Sequence, residues 1–189
     1  AMGEEYSLAL AAMFMLQNKK GPVVTNLSTS RMVEDAAGKC GCKVTRTAIG
    51  EANVVGAMKR QKAVIGGEGN GGIIIPQLNY GRDATAGMAL MLQLMARSGK
   101  SISQLSEELP KYCMIKETLE VKDPSKLLAL VKKKFFGQKM DASDGVKVIF
   151  KDSWLHVRSS GTEPIVRVIA EGKDRKTTQG LVDSIKRLK

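Results

Sequence analysis

Apolar positions in the first two-thirds of the chain alternate between helical and strand-like spacing. Residues 6–20 are apolar at helical spacing and end at Gly21-Pro22, a typical helix stop signal. The pattern predicts helices over residues 6–20, 30–41, 51–61 and 83–98, and short strands over residues 22–27, 43–46, 63–65 and 73–75. Because helices and strands follow one another in turn, this part is predicted to be an α/β domain with a largely parallel sheet.

The pattern changes after Pro110, where strands outnumber helices and follow each other directly. Strands are predicted over residues 112–121, 146–150, 153–158 and 165–171, with helices over residues 124–136 and 176–189. Neighbouring strands of this kind are typical of a small α+β domain with an antiparallel sheet. We therefore expect two domains, residues 1–110 and residues 111–189.

The chain is strongly basic: its 189 residues include 30 Lys and Arg and 19 Asp and Glu, which gives a net charge of +11. Such a balance suits nucleic acid, an anionic surface or a phosphorylated small molecule as partner. Aromatic residues make up only 4% of the chain, which leaves little for base stacking. A basic nucleic-acid-binding module is therefore kept as the less favoured alternative, and no nucleic-acid partner is expected.

Membrane and metal partners are not expected either. The apolar stretch over residues 8–16 is far shorter than the roughly 20 residues that a membrane span needs. The chain has three cysteines, Cys40, Cys42 and Cys113, and one histidine, remote in sequence at His156. A structural zinc site normally takes four ligands, so free thiols in a reducing cytoplasm are the favoured interpretation.

A turn rich in hydroxyl groups lies between two predicted strands near the end of the chain, in the stretch RSSGTEP over residues 158–164. Arg158 offers a planar fork of donors that can bind a phosphate group with two hydrogen bonds. Ser160 and Thr162 add hydroxyl donors, and Gly161 permits close approach of the backbone to an anion. An ordinary hairpin turn is the alternative, since Ser, Gly and Pro are common turn residues.

A second glycine-bearing loop, GGEGNGG over residues 66–72, carries one carboxylate and one amide. It lacks the Gly-Lys-Ser/Thr ending of a Walker loop, and it is followed by an apolar strand rather than a helix. Glu68 accepts hydrogen bonds and Asn70 both donates and accepts, which on a flexible backbone suits a ligand rich in hydroxyl groups. The alternative is a simple turn with a solvated Glu68. Together the two loops predict a sugar phosphate as ligand.

In this combination and order the motifs resemble those of the α-D-phosphohexomutase family, which includes phosphoglucomutases, phosphomannomutases and phosphoglucosamine mutases. Residues 158–164 resemble the family's phosphate-binding loop, residues 67–72 its sugar-binding loop, and residues 47–50, Thr-Ala-Ile-Gly, its Thr-x-Val-Gly turn. The resemblance covers essentially the whole chain and implies the last two of the family's four domains. It implies a mixed α/β third domain followed by an α+β fourth domain related to TATA-binding-protein-like folds.

The resemblance also implies which functions are present and which are not. Glu68 and Asn70 are expected to contact sugar hydroxyls, and Arg158, Ser160, Gly161 and Thr162 to hold the phosphate. In the family, a phosphoserine of the first domain and Mg²⁺ bound by the second transfer the phosphoryl group through a hexose 1,6-bisphosphate. Neither loop occurs in this chain, so we expect no catalytic residue and no protein-bound metal within it. The expected partners are a phosphosugar substrate and the N-terminal domains of the same enzyme.

The resemblance does not separate the possible substrates. Interconversion of hexose 1-phosphate and hexose 6-phosphate, as in phosphoglucomutase/phosphomannomutase, is the leading hypothesis, and phosphoglucosamine mutase activity is the alternative. Glu51 stands where other members of the family often carry a basic residue or His. We interpret it as a carboxylate favoured by the dipole of the helix that it begins.

Overall fold

Two sheets organise the chain in the computed structural model, which describes residues 2–160, 163 and 165–189. One compact unit ends at Lys111 and a second begins at Tyr112. Among the described residues, no helix is both long and apolar enough to cross a bilayer.

The first unit contains a four-stranded sheet in the order β2-β1-β3-β4. Strand β1 is parallel to β2 and β3, and β4 is antiparallel to β3, which confirms the predicted mixed α/β sheet. The elements are α1 (Glu5–Asn18), β1 (Val23–Asn26), α2 (Met32–Lys39), β2 (Val44–Thr47), α3 (Glu51–Gln61), β3 (Ile65–Glu68), β4 (Gly72–Ile74), α4 (Ala84–Ser98) and α5 (Ile102–Glu107).

Strand β3 differs from the prediction in a way that matters for function. The sequence suggested a strand over residues 63–65 that ends in a flexible glycine loop, but the strand runs from Ile65 through two glycines to Glu68. Gly66 is needed there because a Cβ at this position would lie 2.5 Å from Met58 Sδ and 2.7 Å from the Val24 carbonyl oxygen. The glycines therefore allow close packing of the strand, and the prediction of a flexible backbone at residues 66–68 was wrong.

The second unit contains a five-stranded antiparallel sheet in the order β5-β9-β8-β7-β6. Helices α6 and α7 pack on it, as expected for the α+β domain. The elements are β5 (Cys113–Glu120), α6 (Pro124–Lys134), β6 (Lys139–Asp141), β7 (Val146–Ile149), β8 (Trp154–Ser159), β9 (Ile165–Gly172) and α7 (Arg175–Lys186). The core is aliphatic and includes Val148, Leu155, Val168 and Ile185, all fully buried.

Two short elements were not predicted. Helix α5 begins with a capping box, in which the Ser101 hydroxyl accepts from the Gln104 N–H and the Gln104 side chain accepts from the Ser101 N–H. That Ser-x-x-Gln signal was present in the sequence. Strand β6 has only three residues and is paired along one edge with β7, so hydrophobic alternation could not reveal it.

The sheet of the second unit carries buried polar groups on the face opposite its aliphatic core. Strand register pairs Lys147 with His156 and Trp154 with Glu171, so these four side chains share that face. Trp154 Nε1 donates to Glu171 Oε1 at 2.7 Å, and Lys147 Nζ lies 4.0 Å from the centre of the Trp154 ring. His156 Nε2 lies 2.6 Å from the carbonyl oxygen of Asp144. Burial lowers the pKa of His156, and the nearby Lys147 and Arg158 lower it further, against the raising effect of that carbonyl.

The packing around Gly66 gives a prediction about stability. Gly66→Ala should lower the free energy of unfolding by about 1–3 kcal/mol, because the new methyl group meets the Val24 backbone as well as the flexible Met58. Urea unfolding monitored by circular dichroism measures the difference. The matched control is Gly38→Ala on helix α2, where a Cβ would meet nothing within 4 Å. That change should raise the free energy of unfolding by about 0.5–1 kcal/mol. Equal effects at the two positions would contradict the packing described for β3.

The lowered pKa of His156 predicts a pH dependence of stability. In the unfolded chain His156 takes up a proton near its ordinary pKa of 6.5, and in the folded chain only at lower pH. Its contribution to the free energy of unfolding is therefore fully present above pH 6.5. It is then lost as the pH falls from 6.5 towards the lowered pKa. Denaturation midpoints measured between about pH 5 and about pH 8 test this. His156→Gln should flatten the profile in this range, and an unchanged slope would show that another group titrates.

Candidate functional site

Three parallel strands of the first unit present their carboxyl ends at one edge of the sheet. Strand β1 ends at Asn26, β2 at Thr47 and β3 at Glu68. In open α/β sheets, ligands bind outside the carboxyl ends of the strands. This edge, with the β3–β4 loop that follows Glu68, is the first candidate site.

Glu68 is the most constrained side chain at this edge. The residue is only 5% exposed, and its Oε1 accepts from Asn26 Nδ2 at 2.8 Å and from the Gly50 N–H at 3.1 Å. Oε2 accepts no hydrogen bond from the residues that the structure describes. The alternative of a solvated Glu68 is therefore wrong, and the carboxylate is held with one oxygen available to a ligand hydroxyl.

The start of the β3–β4 loop is fixed by threonine hydroxyls of the first strand and the loop after it. Thr25 Oγ1 donates to the Gly67 carbonyl at 2.9 Å, and Thr29 Oγ1 accepts from the Gly69 N–H at 3.0 Å. A side chain at Gly69 would collide with the buried carboxylate of Glu5, which accepts from the Ser30 N–H at 2.8 Å. The loop is consequently rigid on both sides of Glu68.

Asn70 differs from Glu68 in being exposed. Its side chain makes no hydrogen bond or ion pair to any residue within the described parts of the chain. The structure thus places the two predicted sugar-binding residues at one strand end, one held firmly and one open to solvent.

Arg46, which precedes the turn over residues 47–50, braces the end of β1 and the loop after it. Its guanidinium contacts both carboxylate oxygens of Glu34, at 2.6 and 2.8 Å, and donates to the carbonyls of Asn26 at 2.9 Å and Thr29 at 2.7 Å. These bonds tie the ends of β1 and β2 together. Gly50 follows with a φ of 117°, a conformation that favours glycine, and turns its N–H towards Glu68.

Glu51 is the first residue of α3, as predicted, and it also has a partner that the sequence did not reveal. Arg82 Nε donates to Glu51 Oε2 at 2.7 Å. This hydrogen bond, together with one from the Arg82 N–H, lowers the pKa of Glu51. Glu51 is therefore a paired carboxylate.

Sequence analysis missed three residues that build this edge: Asn26, Thr29 and Arg46. Polar side chains directly after a buried strand were the available signal for Asn26 and Thr29. The backbone and carboxylate contacts of Arg46 depend on the tertiary arrangement and had no local signal.

The second candidate site lies at the turn between β8 and β9 in the second unit. Arg158 is the penultimate residue of β8, and Ser160 follows the strand and donates its N–H to the Ile165 carbonyl at 2.9 Å. Gly161 and Thr162, also predicted to bind phosphate, lie outside the described residues. The Arg158 side chain is 25% exposed, and its Nε lies 3.5 Å from Asp144 Oδ1.

A second arginine, which sequence analysis did not single out, lies opposite Arg158. The register of β8 and β9 pairs Arg158 with Arg167, so both side chains leave the sheet on the same face. Arg167 is exposed. Two adjacent cations beside a hydroxyl-rich turn favour an anionic ligand.

The first site, with Glu68 and Asn70, can accept hydrogen bonds from hydroxyl groups and donate to them. The second, with Arg158 and Arg167, carries the positive charge that an anion requires. Within residues 2–160, 163 and 165–189, no group of three or more His, Cys, Asp or Glu side chains could hold a metal ion.

Comparison with known proteins identifies relatives for both units. Residues 3–112 match the family model described as phosphoglucomutase/phosphomannomutase, alpha/beta/alpha domain III, and residues 117–188 match that of the C-terminal domain. The chain is 39% identical to a phosphoglucomutase/phosphomannomutase of Thermococcus kodakarensis, over 90% of this chain and 38% of that protein. It is 36% identical to a phosphoglucosamine/phosphogalactosamine mutase of Sulfurisphaera tokodaii, over 88% of this chain and 38% of that protein.

Solved structures share the fold. A phosphoglucomutase/phosphomannomutase family protein of Burkholderia thailandensis has a TM-score of 0.81 at 23% identity, over 97% of this chain and 40% of that one. N-acetylphosphoglucosamine mutase of Aspergillus fumigatus, solved with GlcNAc-6P and magnesium, has a TM-score of 0.72 at 18% identity, over 98% of this chain and 43% of that one. The chain spans about two-fifths of the length of these proteins. It belongs to the phosphoglucomutase/phosphomannomutase family, of which it contains the α/β/α domain III and the C-terminal domain.

Proposed function

We propose that this chain is the substrate-recognition part of a phosphohexomutase that interconverts hexose 1-phosphate and hexose 6-phosphate, of the phosphoglucomutase/phosphomannomutase type. The observation that carries the proposal is the buried Glu68 carboxylate, fixed at the carboxyl edge of the parallel strands with one oxygen left for a ligand. The arginine-bearing turn of the second unit supplies the complementary preference for phosphate. The names of the relatives support the same activity.

In this proposal the first unit recognises the sugar. Glu68 Oε2 accepts a hydrogen bond from a ring hydroxyl, and its ionised state makes that bond stronger than one between neutral groups. Asn70 adds a donor and an acceptor from the exposed part of the same loop. Because Asn26 and Gly50 fix Glu68 before any ligand binds, little side-chain entropy is lost on binding.

The second unit holds the phosphate that does not react in a given half of the cycle. Arg158 supplies a charged donor, and Ser160, Gly161 and Thr162 supply hydroxyl and backbone donors around it. The exposed Arg167, opposite Arg158 in the sheet, increases the positive potential at this turn. Phosphoryl transfer depends mainly on positioning and on neutralising charge, so residues that only bind and orient contribute to the rate.

The groups that react belong to other parts of the longer protein. Family resemblance assigns the phosphoserine and the Mg²⁺ ion to the two preceding domains, with a hexose 1,6-bisphosphate formed between the two transfers. The described residues of this chain offer no set of metal ligands, so no step through the ion is assigned to them. We expect the isolated chain to bind a phosphosugar without converting it.

The preceding domains of the longer protein are the proposed macromolecular partner. Helix α4 supports this, because Met88 and Leu92 on its surface are 59% and 65% exposed. Together with the exposed Ala84, Ala89 and Ala96, they form an apolar stripe at helical spacing. A helix that is apolar on nearly all sides is normally covered.

A phosphoglucosamine mutase is the second candidate, favoured by the relative from Sulfurisphaera tokodaii. The two candidates differ in the substituent at carbon 2 of the sugar, a hydroxyl in one and an amine in the other. The ratio of kcat/KM for glucose 6-phosphate and glucosamine 6-phosphate in the longer protein separates them.

Removal of the Arg158 guanidinium tests the phosphate site. Arg158→Ala should weaken glucose 6-phosphate binding about 10- to 100-fold, since a hydrogen bond to a charged group contributes about 1.5–3 kcal/mol. Isothermal titration of the 189-residue chain measures the affinity. Arg175→Ala, at the exposed start of α7, is the matched control and should leave it unchanged. Equal affinities for Arg158→Ala and the unsubstituted chain would remove Arg158 from the site.

Glu68→Gln tests the sugar site separately. The amide keeps the size of the side chain and an oxygen for Asn26 and Gly50, but loses the charge, so KM for the hexose phosphate should rise about tenfold in the longer protein. Inhibition by inorganic phosphate should not change, because phosphate lacks the hydroxyls that Glu68 recognises. Glu107→Gln, exposed in the same unit, is the control. An unaltered KM for Glu68→Gln would count against the role of this carboxylate.

A further inference from the structure

The guanidinium of Arg158 is accompanied by a carboxylate from a different loop. Asp144 Oδ1 lies 3.5 Å from Arg158 Nε, and the two side chains are only 22% and 25% exposed. The Nη groups of Arg158 donate no hydrogen bond to the described part of the chain. Arg158 Nε is buried and makes no hydrogen bond within the described part of the chain, so its contact with Asp144 is an ion pair and not a hydrogen bond. The carboxylate stands at the Nε edge of the guanidinium, where it leaves the Nη groups available.

The backbone of Asp144 is fixed by its neighbours on both strands of the β7–β8 hairpin. Gly145 adopts a φ of 70°, and a side chain there would collide with the Val157 carbonyl and lie 2.8 Å from Arg158 Cα. The carbonyl oxygen of Asp144 lies 2.6 Å from His156 Nε2. The loop before β7 is thus packed directly against the end of β8, and the position of Asp144 relative to Arg158 is set by the backbone.

The positive charges around Arg158 explain why a carboxylate beside it is stabilising. Arg167 faces Arg158 across the strand pair, and Lys147 faces His156 on the same side of the sheet. Like charges directly opposite each other in a sheet are destabilising. Without a counter-charge, the long Arg158 side chain would move away from Arg167 and lose a defined direction.

We propose that Asp144 is a positioning residue for phosphate recognition: it holds Arg158 by its Nε edge, so that the Nη groups are presented to the phosphate of the phosphosugar. This inference rests on the proposed function, in which Arg158 binds that phosphate. A bidentate contact between arginine and phosphate depends on the orientation of the planar guanidinium, so a partner that fixes the plane raises affinity. Asp144 itself does not contact the ligand.

Glucose 6-phosphate titrations of the 189-residue chain test the proposal with five variants. Asp144→Ala should weaken binding about tenfold, the size of effect typical for residues that orient a ligand-binding side chain. Asp144→Glu, which keeps the charge, should recover most of the affinity. Asp152→Asn removes an exposed ion pair of the same unit, with Lys173 Nζ at 3.0 Å, and should have no effect. In an Arg158→Ala background, Asp144→Ala should cause no further loss, because its effect acts through the guanidinium.

The Nε–H resonance of Arg158 in a ¹⁵N spectrum reports whether Asp144 defines the environment and order of the guanidinium. It should shift and broaden in Asp144→Ala and stay unchanged in Asp152→Asn. If Asp144→Ala instead tightens binding, the carboxylate merely repels the anion and the proposal fails. It also fails if the loss is the same with and without Arg158. If Arg158→Ala alone has no effect on binding, the proposed function itself fails at this site.

Discussion

A carboxylate held at the junction of three strands is the constraint on which the first unit depends. Glu68 is buried at the end of β3, and its Oε1 takes hydrogen bonds from the end of β1 and from the turn after β2. A buried charge without such partners would be costly, so the arrangement fixes all three strand ends at once. The backbone on either side is closely packed as well, because neither Gly66, beside Met58 and Val24, nor Gly69, beside Glu5, has space for a side chain.

The sheet of the second unit has an aliphatic face and a polar, charged face. The aliphatic side chains of one face form the buried core, while the other face carries Lys147, His156, Arg158 and Glu171. Three charges of this face lie near a partner: Lys147 over Trp154, Glu171 accepting from the Trp154 indole, and Arg158 beside Asp144. Arg158 lies near the end of β8, next to the proposed phosphate loop. The alternation that turns the aliphatic side chains towards the core therefore also turns Arg158 and Arg167 to the opposite face, beside that loop. The two-residue period of the strands therefore determines both the buried core and the face on which the cations lie.

Many of the helices and strands, and two of the proposed binding residues, could be predicted from the sequence because they depend on local patterns. The helix over residues 51–61 was predicted with the bounds that the structure gives, and the change from a mixed to an antiparallel sheet followed from the order of the elements. Glu68 and Arg158 stood out because glycine and hydroxyl residues surround them. Arg46 and Asp144 did not, since their importance arises only when distant segments meet. The same holds for the bond between Asn26 and Glu68, which joins residues 42 positions apart, although the location of Asn26 at a strand end was visible. The burial of Glu68 was likewise invisible, because glycine-rich sequence indicates a loop as readily as a closely packed strand.

The central claim is that two separate loops of this chain, one in each unit, recognise one class of ligand. Chemical-shift mapping of the backbone amides during titration with glucose 6-phosphate, compared with glucose and with inorganic phosphate, tests it most directly. The account predicts that glucose 6-phosphate perturbs the amides of Glu68 to Asn70 and of Arg158 to Ser160, and that inorganic phosphate perturbs only the second group. Perturbations confined to other surfaces, or the same response to all three compounds, would contradict it.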